Sequence, residues 1–552
     1  MRKRLSTFGV LLLGVLLVVV FIVLGVSCFS ESEGNIEWKL SYTLNEDGKS
    51  YSVEAEIPSR RPMESRKCDA EIVVIPSTYN QLPVTVIDYN AFEGFYKLKK
   101  IEIPETVTTI RQSAFAECTM LREVKFSDNI KTIDDFVFWN CISLNKINMP
   151  EGLTSIGSMV FFNCASLKNV RIPNSVTSIG FGAFLLSGCY NNEKNWQNNG
   201  LYIGKWLLEI KEVEVEEFTV ANGTVGIAES AFSRCEATDL HIPKSVKHIT
   251  RGAFVGFKGL KNLYYQGNLL DWCNISFDSA DNDTGDIDAH YIPENFYLNG
   301  VLLEGELVIP TTVREIKAYS FSNYRKITKV VIPDTVSVIG EGAFKYCYKL
   351  TEVVIPDTVT EIHAYAFYAC RELADIEFPE NITFIGKDSL FDTAYYNEES
   401  HWENNALYIG DYLLKADVNY VGEYTVKPGT QYIAQYAFFE CSGYHSIEIP
   451  SSVIDIGEWA FADCYTLPGV KIPVGITAIK ENTFRNCYNL ERVEIPETVT
   501  EIGYLSFYYC YSLTEISFGG TMEQWNAIDK AHYWNLNVPA TKVVCKDGEV
   551  LL

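Results

Sequence analysis

A single 23-residue register governs this chain. Phe92, Phe115, Phe138, Phe161 and Phe184 follow one another at that interval, as do Phe321, Phe344 and Phe367, then Phe438, Phe461, Phe484 and Phe507. An Ile-Pro pair keeps pace at Ile103-Pro104, Ile172-Pro173, Ile332-Pro333, Ile355-Pro356, Ile449-Pro450, Ile472-Pro473 and Ile495-Pro496. A unit this short cannot bury its own apolar face, so copies must stack into a continuous core. The fold class is therefore a repeat solenoid, elongated or shallowly arced, and the 552-residue length gives no domain count.

Within a unit, Leu121, Val124 and Phe126 have the alternation of a short strand, and the proline of each Ile-Pro ends such a strand by removing a ladder donor. Ala343, Phe344, Cys347 and Leu350 are spaced for a brief helical turn with one inward face. Residues 1–30 read as a signal or anchor segment and 31–75 as an amino-terminal β cap. In the cap, Trp38, Leu40, Tyr42 and Leu44 alternate with polar residues, and Tyr51, Val53 and Ala55 resume the pattern after a Glu46-Asp47-Gly48 turn.

A first repeat block spans 76–265, with a hairpin insertion near 190–215. A second spans 306–518, with an insertion near 394–422. The insertions are near copies: residues 196–204 read WQNNGLYIG and residues 402–410 read WENNALYIG, an offset of 206. Residues 266–305 form a Trp-containing excursion that reads as an internal break, and 519–552 a carboxy-terminal cap. These two also match, Trp272 and Ile275 against Trp525 and Ile528.

The segment Ile355-Pro356-Asp357-Thr358-Val359-Thr360-Glu361-Ile362, followed by Ala366-Phe367 and Cys370, resembles the consensus of the BspA-like leucine-rich repeats of bacterial and protist surface proteins. The resemblance extends from about residue 75 to the end. Where ordinary leucine-rich repeats carry an asparagine ladder, this chain has Thr106, Asn129, Gly152 and Ser175. The resemblance implies a leucine-rich-repeat solenoid of short strands and short helical turns, displayed at a surface for adhesion or ligand binding. It implies no catalysis and no cofactor.

The 71 acidic residues outnumber the 46 basic ones, and the net charge of −25 repels nucleic acid and anionic membranes. Membrane contact is expected only through the amino-terminal segment. There Arg2, Lys3 and Arg4 precede an apolar run at residues 8–26, whose 19 residues suffice to cross a bilayer. Val26-Ser27-Cys28 closes that run much as a lipoprotein signal closes before its lipidated cysteine. Three readings stay open: a transmembrane anchor, lipidation of Cys28, or free secretion. All three put the body outside the cytoplasm.

Candidate chemistry is sparse. Ten of the fifteen cysteines sit three residues after a repeat Phe: Cys118, Cys141, Cys164, Cys235, Cys347, Cys370, Cys441, Cys464, Cys487 and Cys510. That regularity predicts buried thiols in a core ladder. There is no Cys-x-x-Cys, no His-Glu-x-x-His and no Gly-x-Ser-x-Gly. The acidic cluster Asp278, Asp281, Asp283, Asp286 and Asp288 lacks a calcium-loop pattern, since Gly285 falls where a ligand belongs. No catalytic, cofactor or metal residue is therefore assigned.

The surface feature that stands out is Tyr465, Tyr488 and Tyr511, 23 residues apart just after the ladder Cys, with Tyr348 in phase. A cysteine and leucine three apart face inward, so the tyrosine faces out. These rings are the ligand-contact candidates, toward an extracellular protein or glycan; packing of each ring onto its neighbouring turn is the plainer alternative. Two rival functions also stand: a structural spacer or wall component, and an enzyme whose site gathers His290 or the Asp278 cluster.

Overall fold

The computed structural model describes residues 39–45, 47–56, 70–211, 215–257, 259–278, 293–379 and 382–552. It is a β-solenoid of about 19 turns. Each regular turn contributes to three hydrogen-bonded sides, and the turn beginning at Ile327–Val331 illustrates them. The first side is a parallel ladder in which Lys329, Val330 and Val331 pair with Glu352, Val353 and Val354. The Ile-Pro pair then turns the chain, with the Pro333 carbonyl accepting from Val336 N at 3.0 Å. The second side is a two-residue ladder, Val338–Ile339 against Glu361–Ile362.

The third side is the arc around the repeat Phe. Its internal bonds run three residues back, from Lys345 N to Gly342 O (3.0 Å) and from Cys347 N to Phe344 O (3.1 Å). The remaining donors reach the next turn: Gly342 N to Ala364 O, Phe344 N to Ala366 O and Tyr346 N to Tyr368 O, at 2.8–2.9 Å. The expected helical turn thus closes once but does not propagate. The reason is that residues two before and two after the Phe are left-handed, as in Ser113 and Glu117 (φ 58° and 62°) or Trp459 and Asp463 (φ 58° and 60°). Bulky side chains rarely adopt that conformation. Here it aims each N–H at the neighbouring turn, where an unmade bond would cost more than the strain.

Inside, the phenylalanines form columns. Phe92, Phe115 and Phe138 stack at 5.5 Å with planes within 10°, and Phe461, Phe484 and Phe507 at 5.3 Å within 10°. Beside them runs the cysteine ladder. In eight of the ten, all but Cys235 and Cys441, Sγ donates to the carbonyl of the Phe one turn back, for example Cys141 to Phe115 O at 3.2 Å and Cys487 to Phe461 O at 3.1 Å. The position therefore wants a small apolar group with a weak donor, which a thiol supplies. The thirteen described cysteines are all buried and none is in a disulfide, and burial pushes the Cys347 and Cys441 thiols up to about 12.

The insertions are three-stranded antiparallel units. Trp196–Gln197, Gly200–Ile203 and Trp206–Ile210 pair in sequence, and the last strand joins Gly226–Ile227 in parallel. Trp402–Glu403, Ala406–Ile409 and Tyr412–Ala416 repeat the arrangement, ending on Tyr432–Ile433. Gly226 is required where it stands, because a Cβ would lie 2.4 Å from the Trp206 indole.

The excursion at 266–305 and the chain end share one design. A short helix with a capping box, Leu269–Cys273 behind Asn268 or Met522–Ala527 behind Thr521, buries its tryptophan. An antiparallel pair follows, Asn295–Leu298 with Val301–Leu302 or Lys542–Cys545 with Gly548–Leu551. At the internal copy the hydrogen-bonded ladder ends in that pair, yet the apolar core continues. Trp272 Nε1 donates to Ser320 O at 2.8 Å, and Phe296 packs edge-on against Tyr324 at 5.9 Å. The buried apolar side chains form two clusters that part at the first insertion: residues from Val53 to Cys189, with Ile203, Trp206 and Ala228, form one, and the others from Tyr202 to Cys545 the second. At the amino end, Lys39–Leu44 pairs with Tyr51–Glu56, which enters the two-residue ladder beside Leu82–Ile87. Trp38 and the segment holding Cys28 lie outside the described residues.

Native thiols should react slowly with a thiol-specific chromophore and rapidly after denaturation without reductant. Replacing Cys487 by Ala should cost about 1–2 kcal/mol, measured by chemical denaturation, through the lost sulfur packing and Phe461 bond. Thiols that stay silent in denaturant would mean disulfides and refute the ladder.

Candidate binding surface

Tyr465, Tyr488 and Tyr511 emerge from tight turns in which each N–H donates to the carbonyl two residues back, Asp463, Asn486 and Tyr509, at 2.9–3.0 Å. That turn sends the preceding Cys into the core and the Tyr out: Cys464, Cys487 and Cys510 are inaccessible, while the three tyrosines are 37%, 39% and 57% exposed. The rings make one contiguous row. Tyr465 and Tyr488 stack at 5.0 Å and 18°, and Tyr488 and Tyr511 lie 5.7 Å apart at 32°.

Stacking changes what the row can do. Ring faces turned toward a neighbour are unavailable to a ligand, so the row presents edges and hydroxyls, with the outermost ring, Tyr511, the most open. One tip is fixed: Tyr465 Oη donates to Asp463 Oδ1 at 3.1 Å, and the same oxygen accepts from Asn486 Nδ2 at 2.8 Å. Local burial, then the Asp463 carboxylate, pushes the Tyr465 phenol up to about 12. Tyr348, in phase in the sequence, stands apart with Arg325 and Arg371 at 5.0 and 5.3 Å from its ring centroid.

A second aromatic row escaped the sequence reading. His241, Tyr264 and Tyr297 stack at 4.5 and 4.7 Å, within 14°, on the outer side of the strands Asp239–Ile242, Asn262–Tyr265 and Asn295–Leu298. Beside it Lys326 donates to Asn295, Asn295 to Asn262 and Asn262 to Asp239, at 2.5–2.8 Å. Tyr264 and Tyr297 are 33 residues apart in sequence, so a search at 23 passes over them. Only the cross-strand register brings them together.

His290 and Asp281, Asp283, Asp286 and Asp288 lie outside the described residues. Asp278 accepts from Ser276 Oγ at 3.0 Å, and that oxygen is 2.9 Å from His248 Nδ1. A pocket nearby is apolar, walled by Phe254, Trp272, Phe277, Phe296 and Phe321. Among the described residues no three His, Cys, Asp or Glu side chains gather as a metal site, and no helix is long and apolar enough to cross a membrane. The 8–26 run and Cys28 fall outside those residues.

A family model described as "BspA type Leucine rich repeat region (6 copies)" matches residues 85–209, 186–299, 290–421 and 407–533. Among solved structures, a leucine-rich repeat protein from Bacteroides ovatus is 19% identical, with 94% of this chain and 100% of that one covered and a TM-score of 0.27. A leucine rich cell surface protein from Faecalibacterium prausnitzii is 20% identical over 91% and 98%, with a TM-score of 0.22. The pneumococcal vaccine antigen PcpA is 16% identical over 94% and 98%, with a TM-score of 0.21. No curated protein matches.

The Asp463 contact has a measurable signature. Spectrophotometric titration with each row tyrosine in turn replaced by Phe should locate one phenol ionising near 12, that of Tyr465. Asp463→Asn should lower it part of the way, because the anion that opposes ionisation is gone while the local burial remains. No downward movement would show that Asp463 does not hold the ring.

Proposed function

Since this chain belongs to the BspA-type leucine-rich-repeat family, we propose that it is an exported, surface-held scaffold that binds a macromolecule without catalysis. The observation that carries the reading is the exposed row Tyr465, Tyr488 and Tyr511, placed at one height on consecutive turns. A rigid repeating surface supports binding by summing shallow contacts over area. Because the ring faces are largely turned to one another, the row favours a protein ligand that meets edges and hydroxyls over a glycan that stacks on open faces. Export rests on the basic Arg2-Lys3-Arg4 flank and the apolar run 8–26, with a transmembrane anchor or a lipid on Cys28 as the means of attachment.

The stacking also supports a second reading, a spacer or wall component whose tyrosines serve one another. The two separate experimentally. A screen of extracellular matrix and serum proteins on the full chain should yield a ligand, and the triple variant Tyr465→Ala, Tyr488→Ala, Tyr511→Ala should bind it at least about tenfold more weakly, a loss of about 1.4 kcal/mol. Its circular dichroism and melting temperature should stay unchanged. Unchanged binding moves the site elsewhere, and a fall in melting temperature with binding intact favours the spacer.

A further inference from the structure

Beside the first insertion the chain forms a pocket of about 290 Å³. Three pieces of chain build it. Tyr190 and Glu193 come from the approach to the insertion, Trp196, Glu209 and Lys211 from its first and last strands and the residue after them, and Arg234 from the arc of the following turn. Trp196 is fixed as one wall, since its Nε1 donates to Tyr190 O at 2.8 Å and the two rings meet at 5.4 Å and 86°. Lys211 Nζ lies 4.5 Å from the indole centroid.

The polar groups of the pocket are positioned but incompletely bonded. Arg234 Nη1 meets Glu209 Oε1 at 3.0 Å. The Glu209 side chain is only 17% exposed, and among the described residues nothing donates to its second carboxylate oxygen. Burial raises its carboxyl above the ordinary range, with Arg234 opposing. A carboxylate so placed has room for one more donor, and an unmade bond there is costly. Lys211 has three donors, and among the described residues its ammonium meets no carboxylate.

The lining holds two cations, Lys211 and Arg234, and two carboxylates, Glu193 and Glu209, so an ion of either sign meets a like charge as well as an opposite one. A neutral polyhydroxyl ring uses both kinds. Its hydroxyls donate to Glu209 and accept from Lys211 and Arg234, while its C–H groups pack on the Trp196–Tyr190 wall. The volume, at the small end for ligand pockets, suits one such ring. We propose that this pocket binds a single neutral sugar unit, the terminal residue of a glycan. The site is separate from the tyrosine row and independent of its protein ligand. The second insertion supplies an internal control. It keeps the frame as Tyr396, Glu399 and Trp402, with the same 2.8 Å indole bond and rings at 87°, but places Lys415, Asp417 and Glu440 where the first has Glu209, Lys211 and Arg234. There Lys415 Nζ already donates to Tyr436 O at 2.9 Å.

The test is saturation-transfer NMR on the full-length protein in a non-ionic detergent free of sugar. The neutral probes are the methyl glycosides of galactose, glucose and mannose, and N-acetylglucosamine; glucuronate, glucosamine and glycine are the charged comparisons. At least one neutral probe should bind with a Kd of about 1 mM, and more tightly than any charged one. E209Q and R234Q should each weaken that binding at least about tenfold, whereas D417N and E440Q in the second insertion should leave it unchanged. Circular dichroism checks folding. If either first-insertion variant fails to fold, E209K/K211D/R234E, which installs the set that the second frame carries, takes its place with the same expected loss. No neutral probe bound at about 10 mM, a charged probe bound more tightly, or neutral binding that survives the first-insertion variants would each overturn the proposal.

Discussion

The left-handed residues two before and two after each repeat Phe are what the rest of the solenoid depends on. They interrupt what would otherwise wind into helix and turn alternate N–H groups along the axis, so the arc becomes a third ladder beside the two strand ladders. All three sides then share one axial rise, and side chains at equal phase must stack. The Phe columns, the Cys-to-Phe carbonyl bonds and the outer tyrosine row are consequences of that one constraint. A cysteine fits the ladder because the Phe carbonyl it faces already accepts its own turn's backbone bond and offers only a second lone pair.

Phase was legible in the sequence. Phe344, Cys347 and Leu350 declared their inward face by spacing alone, and Tyr465, Tyr488 and Tyr511 their outward one. Backbone conformation was not, because Tyr346, Glu117 and Trp459 carry no local signal for a positive φ; the neighbouring turn imposes it. Nor was the location of the core's division. At 266–305, where the repeat pattern is disrupted, the strand ladder ends while Trp272 and Phe296 carry apolar packing onward; the two apolar clusters part near Trp206 and Gly226. The His241–Tyr264–Tyr297 stack escaped because its sequence spacing is irregular while its strand register is not.

Function rides on positions the core does not constrain. Inward residues are nearly fixed by the column they must join, whereas outward ones vary freely, and the duplicated insertions show how far: beside one Tyr-Trp frame, the positions of Glu209 and Arg234 in the first copy hold Lys415 and Glu440 in the second. A surface assembled this way gains specificity from side chains laid over a common scaffold, and not from any change of fold.

The central claim is that axial register, and no particular sequence, holds the solenoid together. Deleting residues 474–496 removes 23 residues and joins Pro473 to Glu497 in phase; deleting 475–496 removes one fewer. Thermal unfolding followed by circular dichroism compares them directly. The in-phase deletion should keep a single cooperative transition within about 5 °C of the parent. The 22-residue deletion should lose that cooperativity, because every downstream Phe, Cys and left-handed donor misses its partner. Equal melting of the two proteins would contradict the account.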